Sequence, residues 1–206
     1  MMDAQARMIE EQIRARGVRD PRVLSALARV PRERFIPEDR RAEAHADRPV
    51  AIGYGQTISQ PYIVAYMTEA LEVAPAHRVL EIGTGCGYQT AVLAELAAEV
   101  YSIELIEALA GRARRTLEEL HYTNIHVRAG DGYAGWPEHA PFDRILGAAA
   151  APETPQALVD QLADGGILVI PVGVDDQHLR VLQKLGGRLE LLSTLPVRFV
   201  PMIHKP

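Results

Sequence analysis

The run Glu81-Ile82-Gly83-Thr84-Gly85-Cys86-Gly87 constrains this chain more than any other stretch. Glycines at alternate positions let a backbone turn sharply and let a ligand approach it closely, as is needed where a strand feeds straight into a helix. The flanking residues fit that placement. Arg78–Ile82 is short and β-rich, and 87–97 reads as helix. Strands over 100–104 and Ile125–Ala129 then enclose a helix over 106–120. A strand over Phe142–Gly147 leads to a helix capped by Thr154-Pro155, and a strand over 167–171 follows Asp164-Gly165-Gly166. Such alternation predicts an α/β fold, a doubly wound and mostly parallel Rossmann-like sheet.

The flanks read differently. Met8, Ile9 and Ile13 recur at helical spacing, and Asp20-Pro21 offers a cap and a first-turn proline ahead of Val23, Leu24, Leu27 and Ala28. Prolines and glycines between Val30 and Gln60 predict loop with short strand pieces. A third helix is expected from Ser59-Gln60-Pro61, with Ile63, Tyr66, Met67, Ala70 and Leu71 along one face. Near the C-terminus 179–185, Gly186-Gly187 and 189–195 read as a hairpin, with a further strand over 197–202. The 206 residues exceed the roughly 150-residue domain prior without doubling it. One domain is therefore expected, with 1–77 a helical extension and 78–206 the α/β core.

The acids at successive strand ends say what the loop could hold. Tyr88 stands where a dinucleotide fingerprint has its third glycine, which disfavours NAD. Glu104 ends strand two about twenty residues past the loop, where a carboxylate can accept from both hydroxyls of a ribose. Asp131, in Gly130-Asp131-Gly132 after strand three, could accept from an adenine amino group. Each acid taken alone reads equally well as a cap or a surface carboxylate. In register with the loop, the three match S-adenosylmethionine, whose nucleoside carries no phosphate.

Composition removes other classes. The only cysteine, Cys86, rules out an internal disulfide framework and a multi-thiolate zinc site, and the seven histidines show no ligand spacing, so no metal is expected. Net charge is −5, with residues 1–50 at +2, so neither half carries the basic excess of a nucleic-acid binder. No apolar run approaches the roughly 18 residues a membrane span needs, and residues 1–17 lack a secretory apolar stretch. A cytoplasmic protein, monomeric and free of membrane and nucleic acid, is the expectation. The 20 arginines against 2 lysines fit either genome composition or heat adaptation.

Several segments together resemble the protein-L-isoaspartate O-methyltransferase family. They are Gly55-Gln56-Thr57-Ile58-Ser59-Gln60-Pro61, Val79-Leu80-Glu81-Ile82-Gly83-Thr84-Gly85, Asp131-Gly132, Pro141-Phe142-Asp143, Pro171-Val172-Gly173 and Val197-Arg198-Phe199-Val200-Pro201. Many methyltransferases share the glycine loop. The Gln-Thr-Ile-Ser and Val-Arg-Phe-Val-Pro elements are much more specific. The resemblance implies a class I S-adenosylmethionine-dependent fold and methyl transfer to the free α-carboxylate of isoaspartyl residues in damaged proteins and peptides. The ester then closes to a succinimide, and hydrolysis restores some normal aspartate. Ser59 takes the family's active-site serine position. Gln56, Thr57, Ile58, Gly83, Thr84, Gly85, Glu104, Leu105, Asp131 and Gly132 fall to the cofactor pocket, and Ser59, Val197, Arg198, Phe199 and Val200 to the peptide groove. The chain departs from the family at Cys86, often serine, and at Gly147-Ala148, often Val-Thr, where lost bulk bears on substrate docking.

The chemistry fits what is missing. A carboxylate with a reference pKa near 3.5–4 is ionised at neutral pH and needs no general base. The sequence indeed offers no Ser-His-Asp order and no Cys-His pair. Ser59 is expected to donate to one carboxylate oxygen, although serine before a helix-opening proline is also a routine cap. Arg198 is a candidate carboxylate partner or a solvated face. His204 reads as surface, Cys86 as packing, and Tyr62 and Tyr66 as a packed i, i+4 pair that with Tyr54 flanks the site. Rival readings are a methyltransferase acting on ordinary aspartate, an NAD oxidoreductase, and a non-catalytic nucleoside-binding module.

Overall fold

A computed structural model describes residues 3–204. Asp3 caps α1 (Ala4–Arg7) by accepting from the Ala6 amide, and the chain runs on through a π-helical stretch, Met8–Ile13, to Gly17 at φ +100°. Met8, Ile9 and Ile13 are buried as expected, but the winding is wider than α. Met8 and Ile13 stand five apart, and an i→i+5 ladder brings both onto one face. Asp20 caps α2 (Pro21–Arg29), which buries Val23, Leu24, Ala26 and Leu27, with Ala26 in place of the expected Ala28. Two 3-10 turns lead into the hairpin of β1 (Val50–Gly53) and β2 (Gln56–Ile58). Helix α3 (Pro61–Ala70) buries Val64, Ala65, Met67 and Thr68, while Ile63, Tyr66 and Ala70 are only partly covered. The helix is turned from the expected face because it is wedged between the N-terminal helices and the α/β core.

The core alternates β3 (Arg78–Ile82), α4 (Tyr88–Ala94), β4 (Glu99–Glu104), α5 (Glu107–Glu119), β5 (Ile125–Ala129), β6 (Phe142–Gly147), α6 (Gln156–Gln161) and β7 (Leu162–Val172). It closes with β8 (Gln177–Leu185) and β9 (Arg188–Val197). The sheet order is β5-β4-β3-β6-β7-β8-β9, parallel from β5 through β7 and antiparallel beyond. Alternate strand residues feed two cores. Val79, Val100 and Leu146 face the N-terminal helices, α4 and α5, while Leu80, Tyr101 and Ile145 pack towards Leu158 of α6 and Met202. A parallel sheet covered on both faces requires this. Strand order reverses at β3, so a crevice opens at the carboxyl ends of β3, β4 and β6, where such sheets hold ligands.

Three local expectations are corrected. Strand β7 starts at Leu162 and takes in Asp164-Gly165-Gly166, with a register shift against β6 between Phe142 and Arg144. Helix α6 has Pro155 at its cap position and no side-chain cap, so Thr154 does not serve. Residues 198–202 form no strand: β9 takes in Pro196 and ends at Val197, Pro201 lacks the N–H a ladder needs, and a single parallel bridge joins Pro201 to Ala150. The hairpin through Gly186-Gly187, both at positive φ, forms as read. No helix among the described residues is long and apolar enough to cross a membrane.

Candidate active site

A hollow of about 990 Å³ occupies the crevice. Gly83, Gly85 and Gly87 all have positive φ, and the loop they form is tied to β4 by the Gly83 amide donating to the Ile103 carbonyl at 2.8 Å. Glu104, 6% exposed, accepts from the Gly85 amide at 2.7 Å through one oxygen and from the Ile106 amide at 2.9 Å through the other. Each oxygen keeps a further lone pair. Gly132 closes the floor so tightly that a Cβ there would lie 2.3 Å from Ile82 Cγ2. Gln56, Thr57, Ile58, Thr84 and Leu105 line the hollow.

Asp131 is held at the edge of the crevice. It lies outside the lining, where Gly132 stands instead. Its Oδ1 accepts from the Tyr133 amide, and its Oδ2 sits 3.0 Å from Nδ1 of His204, whose ring stacks on Tyr133 at 4.0 Å. His204 is thus a partner of Asp131, although its side chain stays 71% exposed. This clasp holds the end of segment 200–203, which lines the hollow and is bridged to Ala150 by two backbone hydrogen bonds.

Glu81, one residue past the middle of β3, was not singled out as a site residue by the sequence. It is fully buried, accepts from Thr90 and Ser102 hydroxyls at 2.5 Å each, and Ser102 in turn accepts from Thr84 at 2.6 Å. Burial drives its carboxyl up to about 7 against the lowering pull of these two hydrogen bonds. Its network braces Thr84 of the glycine loop. Burial likewise pushes the Cys86 thiol up, so it packs and does not attack.

A second groove of about 1120 Å³ meets the first along Thr57, Ser59, Ala148 and Val200. Val197, Arg198 and Phe199 line it. The Gln177 side chain holds Phe199 at both ends, accepting from its amide at 2.7 Å and donating to its carbonyl at 3.2 Å. Ser59 is half-buried at the shared rim. Gln60 is the cap residue of α3 and makes no side-chain cap, so Ser59 is not a cap; its hydroxyl bonds no other described residue. Its carbonyl accepts from Arg32 Nη2 at 2.7 Å. Tyr62 and Tyr66 pack on each other at 6.1 Å, and neither they nor Tyr54 line either hollow, contrary to the expected flanking position. Of the two departures at the end of β6, only Ala148 lines the hollows. A Cβ on Gly147 would meet Ile170 Cγ1 at 2.7 Å inside the core.

Charge sorts what each hollow can take. Among the described residues Glu104 is the only charged one lining the first, with no lysine, arginine or histidine beside it. A pyrophosphate would find no cation there, whereas a cationic nucleoside sulfonium fits both the glycine cradle and the acceptor carboxylate. Among the described residues Arg198 is the only charged one lining the second, exposed and without an ion pair. That suits an anionic acceptor. Among the described residues no three His, Cys, Asp or Glu side chains could together hold a metal ion.

Doubly wound sheet and phosphate-free nucleoside hollow together define a class I S-adenosylmethionine-dependent methyltransferase. Residues 3–206 match the model of the protein-L-isoaspartate(D-aspartate) O-methyltransferase family. The chain belongs to that family. It is 58% identical over 196 residues to a protein-L-isoaspartate O-methyltransferase of Picosynechococcus, covering 95% of this chain and 88% of that one. A Gloeobacter violaceus relative of the same name is 55% identical over 200 residues, covering 96% and 98%. A solved protein-L-isoaspartate O-methyltransferase superposes with a TM-score of 0.85 at 28% identity, over 91% of this chain and 62% of that chain. A Plasmodium falciparum structure described as a PCMT-type beta-aspartate methyltransferase in complex with S-adenosyl-L-homocysteine gives 0.83 at 26% identity, over 98% and 99%.

Proposed function

We propose that this chain transfers a methyl group from S-adenosylmethionine to the free α-carboxylate of L-isoaspartyl residues in damaged proteins and peptides. The observation that carries the reading is the charge of the two adjoining hollows, with Glu104 alone in one and Arg198 alone in the other. When bound, the donor supplies an electrophilic methyl. Glu104 holds a ribose diol through its spare lone pairs, Gly83 to Gly85 let the backbone close on the donor, and Gln56, Thr57, Ile58, Leu105 and Gly132 wall it in. Asp131, outside the lining, supports the floor through Gly132 and the 200–203 segment through His204.

The acceptor arrives ionised, so the residues align it and keep water out. Effective molarity from such alignment contributes roughly 7–11 kcal/mol when reacting atoms sit in line at about 3–3.5 Å. The Ser59 hydroxyl, uncommitted at the shared rim, donates to one carboxylate oxygen and leaves the other facing the methyl. Val197, Phe199 and Val200 carry the peptide backbone, and Arg198 attracts the charge. Residues 1–77 act as the acceptor-side extension of the nucleoside-binding core 78–206. Incubation with labelled S-adenosylmethionine and matched peptides containing isoaspartate or aspartate tests this by base-labile methanol. Selective labelling of the isoaspartyl peptide is expected; equal or preferential labelling of aspartate would overturn it.

A further inference from the structure

Arg32 is the largest fully buried side chain of the described residues, at 0% exposed. Arginine is almost never buried this completely without a carboxylate partner, and no carboxylate pairs with it among the described residues. Its charge is met in part by other groups, with Nη1 left without a hydrogen-bond partner among the described residues. Nε donates to the Ala44 carbonyl at 2.8 Å, Nη2 donates to the Ser59 carbonyl at 2.7 Å, and the guanidinium lies 4.7 Å over the ring of Tyr88. Tyr88 opens α4 straight after the glycine loop, lines the first hollow, and is pinned edge-on by Phe35 at 5.6 Å. One rigid planar group therefore joins the strand-entry segment at Ala44, the acceptor rim at Ser59 and the donor wall at Tyr88. A lysine ammonium, a point charge on a flexible stem, cannot span all three.

We propose that Arg32 is a positioning residue for methyl transfer, fixing Ser59 against the glycine-loop wall so that the serine hydroxyl meets the acceptor carboxylate in line with the donor. The inference rests on the role given to Ser59 above. With no base to supply, the reaction depends on alignment, and a displacement of about 1 Å costs on the order of a hundredfold in rate. Charge-assisted bonds to a carbonyl hold such a position more tightly than neutral ones.

The test compares R32K, R32Q, S59A and the double variant R32K/S59A. Calorimetry with S-adenosylhomocysteine gives the competent fraction and donor-site affinity, and single-turnover methylation of an isoaspartyl peptide at saturating donor gives the rate per competent molecule. R32K and R32Q are expected to lose tenfold or more in rate while the S-adenosylhomocysteine Kd stays within threefold. The double variant is expected within threefold of the slower single variant, because both changes remove one alignment. Wild-type rates in R32K and R32Q, with S59A impaired, overturn the proposal and leave the Ser59 reading standing. A double variant slowed by the product of the two single effects also overturns it, since Arg32 then acts independently of Ser59. A wild-type rate in S59A removes the Ser59 reading itself. Should neither arginine variant bind S-adenosylhomocysteine, Arg32 serves stability alone and the proposal falls.

Discussion

A carboxyl buried without a cation, as Glu81 is, must express its environment in the pH dependence of stability. Its folded pKa is raised from 4.5 to about 7, so the folded state holds the proton more tightly than the unfolded chain. Below about pH 4.5 both states are protonated and nothing is lost. As pH rises towards 7 the unfolded chain ionises freely while the folded one resists, and stability falls by roughly 3 kcal/mol before levelling off. Glu81→Gln is expected to abolish that part of the slope, seen as a wild-type minus variant unfolding free energy in urea that falls by roughly 3 kcal/mol between pH 4.5 and 7; parallel curves would refute it. Glu104→Gln turns one acceptor into a donor facing a backbone N–H, and a weakening of S-adenosylhomocysteine binding by at least tenfold is expected by calorimetry. Gly132→Ala sets a methyl 2.3 Å from Ile82 Cγ2, and unfolding should show a loss of about 1–3 kcal/mol.

Segment 197–203 works as an element although it has no regular structure beyond Val197. Its outer half lines the second groove and its inner half the first hollow, so its placement couples the two. Gln177 holds the groove half through Phe199, while Ala150 holds the inner half. Gln177→Ala should therefore raise KM for an isoaspartyl peptide about three- to tenfold, leaving kcat and S-adenosylhomocysteine affinity within twofold in steady-state kinetics and calorimetry. Beyond Val197 the strand expected over 197–202 is absent, and one local reason, proline at 201, is displayed openly in the sequence. The π-helical winding of Met8–Ile13 left no comparable mark, since its five-residue spacing also satisfies an α-helical reading at Ile9 and Ile13.

For the whole molecule, donor-site occupancy is a folding term. S-adenosylhomocysteine at a hundred times its Kd should stabilise the protein by about 2.7 kcal/mol and raise Tm by roughly 5–10 °C, while NAD at the same concentration leaves Tm unchanged in a thermal melt. A shift with NAD would mean that the cation-free lining of the hollow has been misread. The sequence alone determined the alternation of strands and helices, the glycine loop, and Glu104 at a strand end, because each is written in consecutive residues whose period and steric needs are local. Only the tertiary structure decided which groups meet. His204 lies 73 residues from Asp131, and Arg32 lies 27 from Ser59. Joining the donor and acceptor hollows along one rim took chain segments brought together by core packing, and burial of apolar faces fixes such pairings without leaving a periodic trace in the residues they connect.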